Sequence, residues 1–137
     1  MRCFIDTNIL ISAGLFPDSV PATALIKALT PPNVAIVCDY ALDEAHRVIN
    51  RKFPNKAGEL RLFLYRLRFT AELVSTPADS LEDDSKIRDI NDRPILRAAI
   101  KANADILLTG DKDFLESSVT VPKIMTVAQF ISDSSNI

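Results

Sequence analysis

Acidic residues in this chain fall where short apolar runs end. Asp6 follows Cys3-Phe4-Ile5 and is itself followed by Thr7 and Asn8, while Asp111 and Asp113 follow Leu107-Leu108-Thr109-Gly110. Glu44 lies early in a helical pattern behind Val34-Ala35-Ile36-Val37, and Asp92 opens the helical pattern that leads to Ile106-Leu107-Leu108. Several carboxylates sharing one pocket raise each other's pKa, and a divalent cation relieves that repulsion. Oxygen-only ligands select a hard ion, Mg²⁺ or Mn²⁺ rather than zinc. Such an ion suits phosphodiester hydrolysis, because it activates water and stabilises the leaving oxygen of an in-line displacement.

Competing chemistries lack their residues. There is no GxSxG, no Cys-His pair, no GxxxxGK[ST] phosphate loop and no GxGxxG, and His46 is the sole histidine. Cys3 and Cys38 sit in apolar runs and read as buried free thiols rather than a disulfide framework. Asp6 interrupts the N-terminal apolar run before a signal peptide could form, and no run is long enough to span a membrane. A cytoplasmic protein is therefore expected.

The elements that must carry these acids alternate between strand and helix. Cys3–Ile5, Val34–Val37, Glu72–Val74, Ile106–Leu108 and Val121–Met125 are short apolar runs of the kind buried in a parallel sheet. Helical periodicity runs from Pro21 to Leu29, from Tyr40 to about Arg51 with Asp39 as its cap, and from Ala57 to Phe69. Asn91 is positioned to cap a further helix, and Thr126-Val127-Ala128-Gln129 reads as a capping box. This alternation predicts an open α/β sheet, with ligands bound beyond the carboxyl ends of the strands where strand order reverses. The 137 residues suit one domain, expected over 1–131, with a polar tail at 132–137.

The net charge of -2 hides a segregation. Between His46 and Phe69 stand seven bases, Arg47, Arg51, Lys52, Lys56, Arg61, Arg66 and Arg68, against Glu59 alone. Between Ala78 and Asp92 stand six acids against Lys86 and Arg88. The basic pair of helices reads either as a phosphate-binding arm, with Arg47, Arg51 and Lys52 its candidate nucleic-acid phosphate contacts, or as a solvated hairpin.

Four blocks resemble PIN domains, in order and over nearly the whole chain. They are Phe4-Ile5-Asp6-Thr7-Asn8, Leu42-Asp43-Glu44-Ala45-His46-Arg47, Asp89-Ile90-Asn91-Asp92-Arg93-Pro94 and Ala104-Asp105-Ile106-Leu107-Leu108-Thr109-Gly110-Asp111-Lys112-Asp113-Phe114. The resemblance implies a three-layer α/β/α sandwich with a parallel sheet in the order 3-2-1-4-5. It implies a metal-dependent ribonuclease similar to VapC toxins, often dimeric and held inactive by an antitoxin. Carried onto these positions, Asp6, Glu44, Asp92 and Asp111 would be catalytic and bind Mg²⁺ or Mn²⁺, with Asp113 a fifth acid and Asn8 and Thr109 supporting polar residues. Of the adjacent pair Asp43-Glu44, Glu44 is assigned inward. The relatives' Ser-Pro-like turn is replaced here by Cys38-Asp39-Tyr40. Two other readings are kept: a receiver-type Mg²⁺-binding signalling domain, and a PIN-like protein that binds RNA without cutting it.

Overall fold

Five parallel strands, β1 (Arg2–Ile5), β2 (Val34–Cys38), β3 (Glu72–Val74), β4 (Ile106–Leu108) and β5 (Lys123–Met125), form one sheet in the order β3-β2-β1-β4-β5. The computed structural model describes residues 1–133. The sheet registers Cys3 on both Ala35 and Ile106, and Ile5 on Leu108. β1, β2 and β4 are almost wholly buried, which is why their sequences are apolar at successive positions. β3 lies at the edge and is largely exposed. The sheet order is the one implied by the family resemblance. It excludes the receiver-type alternative, whose flavodoxin-like sheet runs 2-1-3-4-5.

The helices are α1 (Thr7–Leu15), α2 (Val20–Leu29), α3 (Asp39–Lys52), α4 (Ala57–Leu67), α5 (Arg93–Lys101), α6 (Lys112–Leu115) and α7 (Val127–Ser132). α1 has no counterpart in the sequence pattern. Its Ile9, Leu10, Ile11 and Ala13 are all buried, so no polar face marks a helical period. It packs against α2, α3 and α4. Gly14 permits the closest approach: a Cβ there would stand 2.8 Å from Leu60 Cδ2 and 2.9 Å from Phe63 Cδ2.

Two helix caps differ from expectation. The N-cap of α3 is Cys38, whose Sγ accepts the Ala41 amide, rather than Asp39. Asp39 Oδ1 instead accepts from the Tyr40 amide and from both the amide and hydroxyl of Thr76, tying α3 to the segment after β3. Before α5, Asp89 rather than Asn91 provides the cap, its Oδ1 accepting the Asn91 amide at 2.9 Å ahead of a 3₁₀ turn over Ile90–Asp92. Asp92 then occupies the α5 N-cap position without making a capping bond. The Thr126/Gln129 capping box forms as expected.

The last helix includes Ser132, and residues 134–137 of the expected tail lie outside the described residues. Among the described residues, no single helix is long and apolar enough to cross a membrane. Cys3 and Cys38 are free and buried, and burial pushes both thiol pKa values up, that of Cys3 to about 11.

Candidate functional site

The sheet order puts the switch point at β1. The chain first builds β2 and β3 on one side of it, then returns to add β4 on the other. The segments leaving β1 and β4 therefore emerge side by side, and the Asp6 amide donates to the Leu108 carbonyl at 3.0 Å. Asp6 ends β1 and is the N-cap of α1, its Oδ1 accepting the Thr7 amide at 2.8 Å. Asp111 follows β4 and caps α6, its Oδ1 accepting the Asp113 amide at 2.9 Å.

Thr109 joins the two. Its buried hydroxyl donates to Asp6 Oδ2 at 2.7 Å and accepts the Asp111 amide at 3.0 Å. One side chain thus holds the Asp6 carboxylate and the backbone of Asp111, as polar groups behind metal ligands commonly do. Glu44 enters from α3. With Val48 and Lys52 it occupies positions four residues apart, and all three line the same cleft. Asp43 is exposed and lines a different groove, between α3 and α4. Asp92 enters from the start of α5. The Tyr40 hydroxyl ties α3 to this segment by donating to the Asn91 carbonyl at 2.8 Å.

The resulting cleft has a volume of about 280 Å³ and is lined by Asp6, Glu44, Asp92, Asp111, Thr7, Asn8, Ile11, Val48 and Lys52. At roughly 30 Å³ per water it holds about nine waters, room for a hydrated ion and a phosphate group. Asn8 is exposed at its rim, whereas Thr109 lies beneath it.

Electrostatics in the cleft are those of crowded carboxylates. Burial pushes the Asp6 pKa from its ordinary 3.8 to about 6, the Thr109 and Thr7 bonds pull it back, and the charges of Glu44 and Asp111 push it further up. Asp92 is held well above the usual carboxylate range, first by burial, then by the neighbouring Asp111 carboxylate and by the charges of Asp6 and Asp89. Asp92 Oδ2 is buried and has no hydrogen-bond partner. A carboxylate oxygen buried against a second carboxylate needs a proton or a cation. That orphaned atom and the oxygen-only surroundings fit a hard divalent ion.

Asp113 takes a different place. It stands with Asp89 and Asp92 as a second group of acids, with ligand atoms all within 4.8 Å of one another, and is not among the residues lining the cleft. Arg88 grips it, Nε donating to Asp113 Oδ1 at 2.9 Å. Sequence reading missed this arginine because nothing in local spacing links residue 88 to residue 113. Lys52 lines the cleft, whereas Arg47 and Arg51 are exposed and are not among its lining residues.

A family model for the PIN domain matches residues 2–113. No curated protein sequence matches the chain. The fold is similar to that in the structure of VapBC2 from Rickettsia felis bound to a DNA fragment from their promoter, with TM-score 0.70 and 18% identity, covering 92% of this chain and 98% of that one. It is also similar to Mycobacterium tuberculosis VapC20, a sarcin-ricin loop cleaving toxin, with TM-score 0.61 and 20% identity, covering 83% and 93%.

Proposed function

Because this chain belongs to the PIN domain family, we propose that it is a divalent-metal-dependent endoribonuclease and the toxin of a toxin–antitoxin pair. The observation that carries this reading is the convergence of Asp6, Glu44, Asp92 and Asp111 on one small cleft, where Asp92 Oδ2 is buried without a partner. The similarity to a VapBC complex and to an RNA-cleaving VapC supports RNA as substrate and a protein antitoxin as partner. The cytoplasm, where RNA substrates are found, is the proposed location.

Asp6, Glu44, Asp92 and Asp111 would hold Mg²⁺ or Mn²⁺, with Asp113, grouped with Asp89 and Asp92, a fifth acid for an ion held at Asp92. When bound, such an ion supplies charge for the phosphate oxygens and activates water for in-line attack. The protein's own contribution is position. Thr109 holds the Asp6 carboxylate and the Asp111 backbone together, so both residues are already placed at the cleft when an ion arrives. Asn8 offers an exposed amide at the cleft rim to the sugar-phosphate. Lys52 places an ammonium on the cleft wall, where it attracts a phosphate toward carboxylates that would otherwise repel it. Arg47 and Arg51 extend that positive field outward along α3.

The test is cleavage of RNA in Mg²⁺ by the wild type and by Asp6→Asn and Asp92→Asn. Loss of cleavage with intact folding is expected. Cleavage by Asp6→Asn at the wild-type rate would sink the assignment, and RNA binding without cleavage by the wild type would favour the non-cutting alternative.

A further inference from the structure

α4 presents two apolar stripes where a surface helix needs one. Leu60, Leu64 and Leu67 are buried against the core. On the outer side Leu62, Tyr65 and Phe69 are 48%, 55% and 75% exposed, at helical spacing, with Phe69 just beyond the last turn. The Tyr65 and Phe69 rings form an edge-to-face pair with centroids 5.4 Å apart. Tyr65 and Leu62 also line a groove between α3 and α4 of about 580 Å³, together with Arg61, Arg68, Asp43 and His46. That is the volume of a small-ligand pocket and twice that of the carboxylate cleft.

The charges around these rings identify the occupant. Arg47, Arg51, Lys52, Lys56, Arg61, Arg66 and Arg68 are exposed on α3, α4 and their connection, and among the described residues none of them is in an ion pair. Arg61 donates to Asn50, a neutral partner. The carboxylates around these elements are few: Glu59 on α4, Asp43 in the groove, Asp39, already engaged by Thr76, and Glu72, three residues past Phe69 and already paired with Arg2. Unpaired cations beside exposed aromatic rings complement a polyanion that carries flat apolar groups, which describes single-stranded nucleic acid. An apolar protein helix would bury the rings but leave the cations unanswered.

We propose that the Tyr65–Phe69 face of α4 is a base-stacking platform for single-stranded RNA, with Arg61, Arg66 and Arg68 on the backbone phosphates. It rests on the ribonuclease reading and adds a subsite remote from the carboxylates. RNA seated there crosses α3 past Arg47 and Arg51 and reaches the cleft at Lys52. Asp43 and His46, which line the groove on its α3 side, face the base edges.

The experiment measures binding of single-stranded RNA carrying one 2-aminopurine, in EDTA, followed by anisotropy and base fluorescence. Tyr65→Ala and Phe69→Ala are each expected to weaken binding by about tenfold and to abolish the fluorescence quenching that stacking causes. Tyr65→Phe and Phe69→Tyr keep a ring and should bind and quench as the wild type does. Both side chains are exposed, so circular dichroism should show every variant folded. Unchanged affinity and quenching in both alanine variants, in a wild type that cleaves RNA, would overturn the platform alone. Unchanged RNA affinity with loss of self-association, read by sedimentation, would overturn it in favour of a protein interface. A wild type that neither binds nor cleaves RNA would overturn the ribonuclease reading and the platform with it.

Discussion

Asp6→Asn should make the metal-free protein more stable as pH rises, relative to wild type, while removing its function. In the folded chain burial keeps the Asp6 proton on until about pH 6, against an ordinary 3.8. The folded state therefore binds more protons than the unfolded state between those values. The associated stability is fully present below the lower value and is lost as pH rises through the upper one. The separation corresponds to about 3 kcal/mol, of which roughly 2–3 kcal/mol falls between pH 4 and pH 8. Asparagine has no proton to lose, so variant minus wild-type stability should grow by that amount over the same range. Removing the Asp6 charge also relieves Asp92, in the same direction. The substitution carries a fixed cost, because Thr109 donates to Asp6 Oδ2 and would face an NH₂ group instead. That cost, about 1 kcal/mol, does not vary with pH and cancels in the comparison. The chain has no tryptophan, so urea unfolding is followed by far-UV circular dichroism, in EDTA, at pH 4.5, 6 and 8. At ten times its dissociation constant, Mg²⁺ should then restore about 1.4 kcal/mol to the wild type at pH 8 and nothing to the variant. A stability difference that is flat with pH, or that shrinks toward pH 8, would refute the reasoning.

Thr109→Val removes the hydroxyl that donates to the Asp6 carboxylate and accepts the Asp111 amide. It should lower RNA cleavage or metal affinity 10–100-fold by titration and cost about 1–3 kcal/mol in urea unfolding. Arg97→Met leaves the buried Asp84 carboxylate without its cation and frees the Pro77 carbonyl, so a loss of about 3–5 kcal/mol is expected by chemical denaturation. Arg47→Glu combined with Arg51→Glu should flatten the dependence of RNA affinity on salt, lowering the log–log slope by about 1.4 if each contacts one phosphate. An unchanged slope would make that part of α3 a solvated face.

The parts of the fold that were legible in the sequence are those whose residues face two environments. α3 and α5 alternate buried alanine, leucine and isoleucine with charge, so their periods are visible. The inner strands are apolar throughout, which identifies them as the middle of a parallel sheet. α1 was hidden because it is surrounded, and a helix without a solvent face has no amphipathic signature. The caps were displaced because Cys38 and Asp89 make the bonds that Asp39 and Asn91 are equally equipped to make. At the site, residues next to strand ends were predictable because the backbone delivers them. The Thr109 bridge, the Arg88 grip on Asp113 and the Tyr40 tie to Asn91 are long-range contacts that no local spacing encodes. The outer stripe of α4 was readable only as charge, since local spacing does not show which rings the fold leaves outside.

The most direct test is RNA cleavage by the purified wild-type protein with its divalent ions controlled. Cleavage should appear in Mg²⁺ or Mn²⁺, stop in excess EDTA, and return when the ion is restored. Cleavage that continues undiminished in EDTA would contradict the role given to Asp6, Glu44, Asp92 and Asp111.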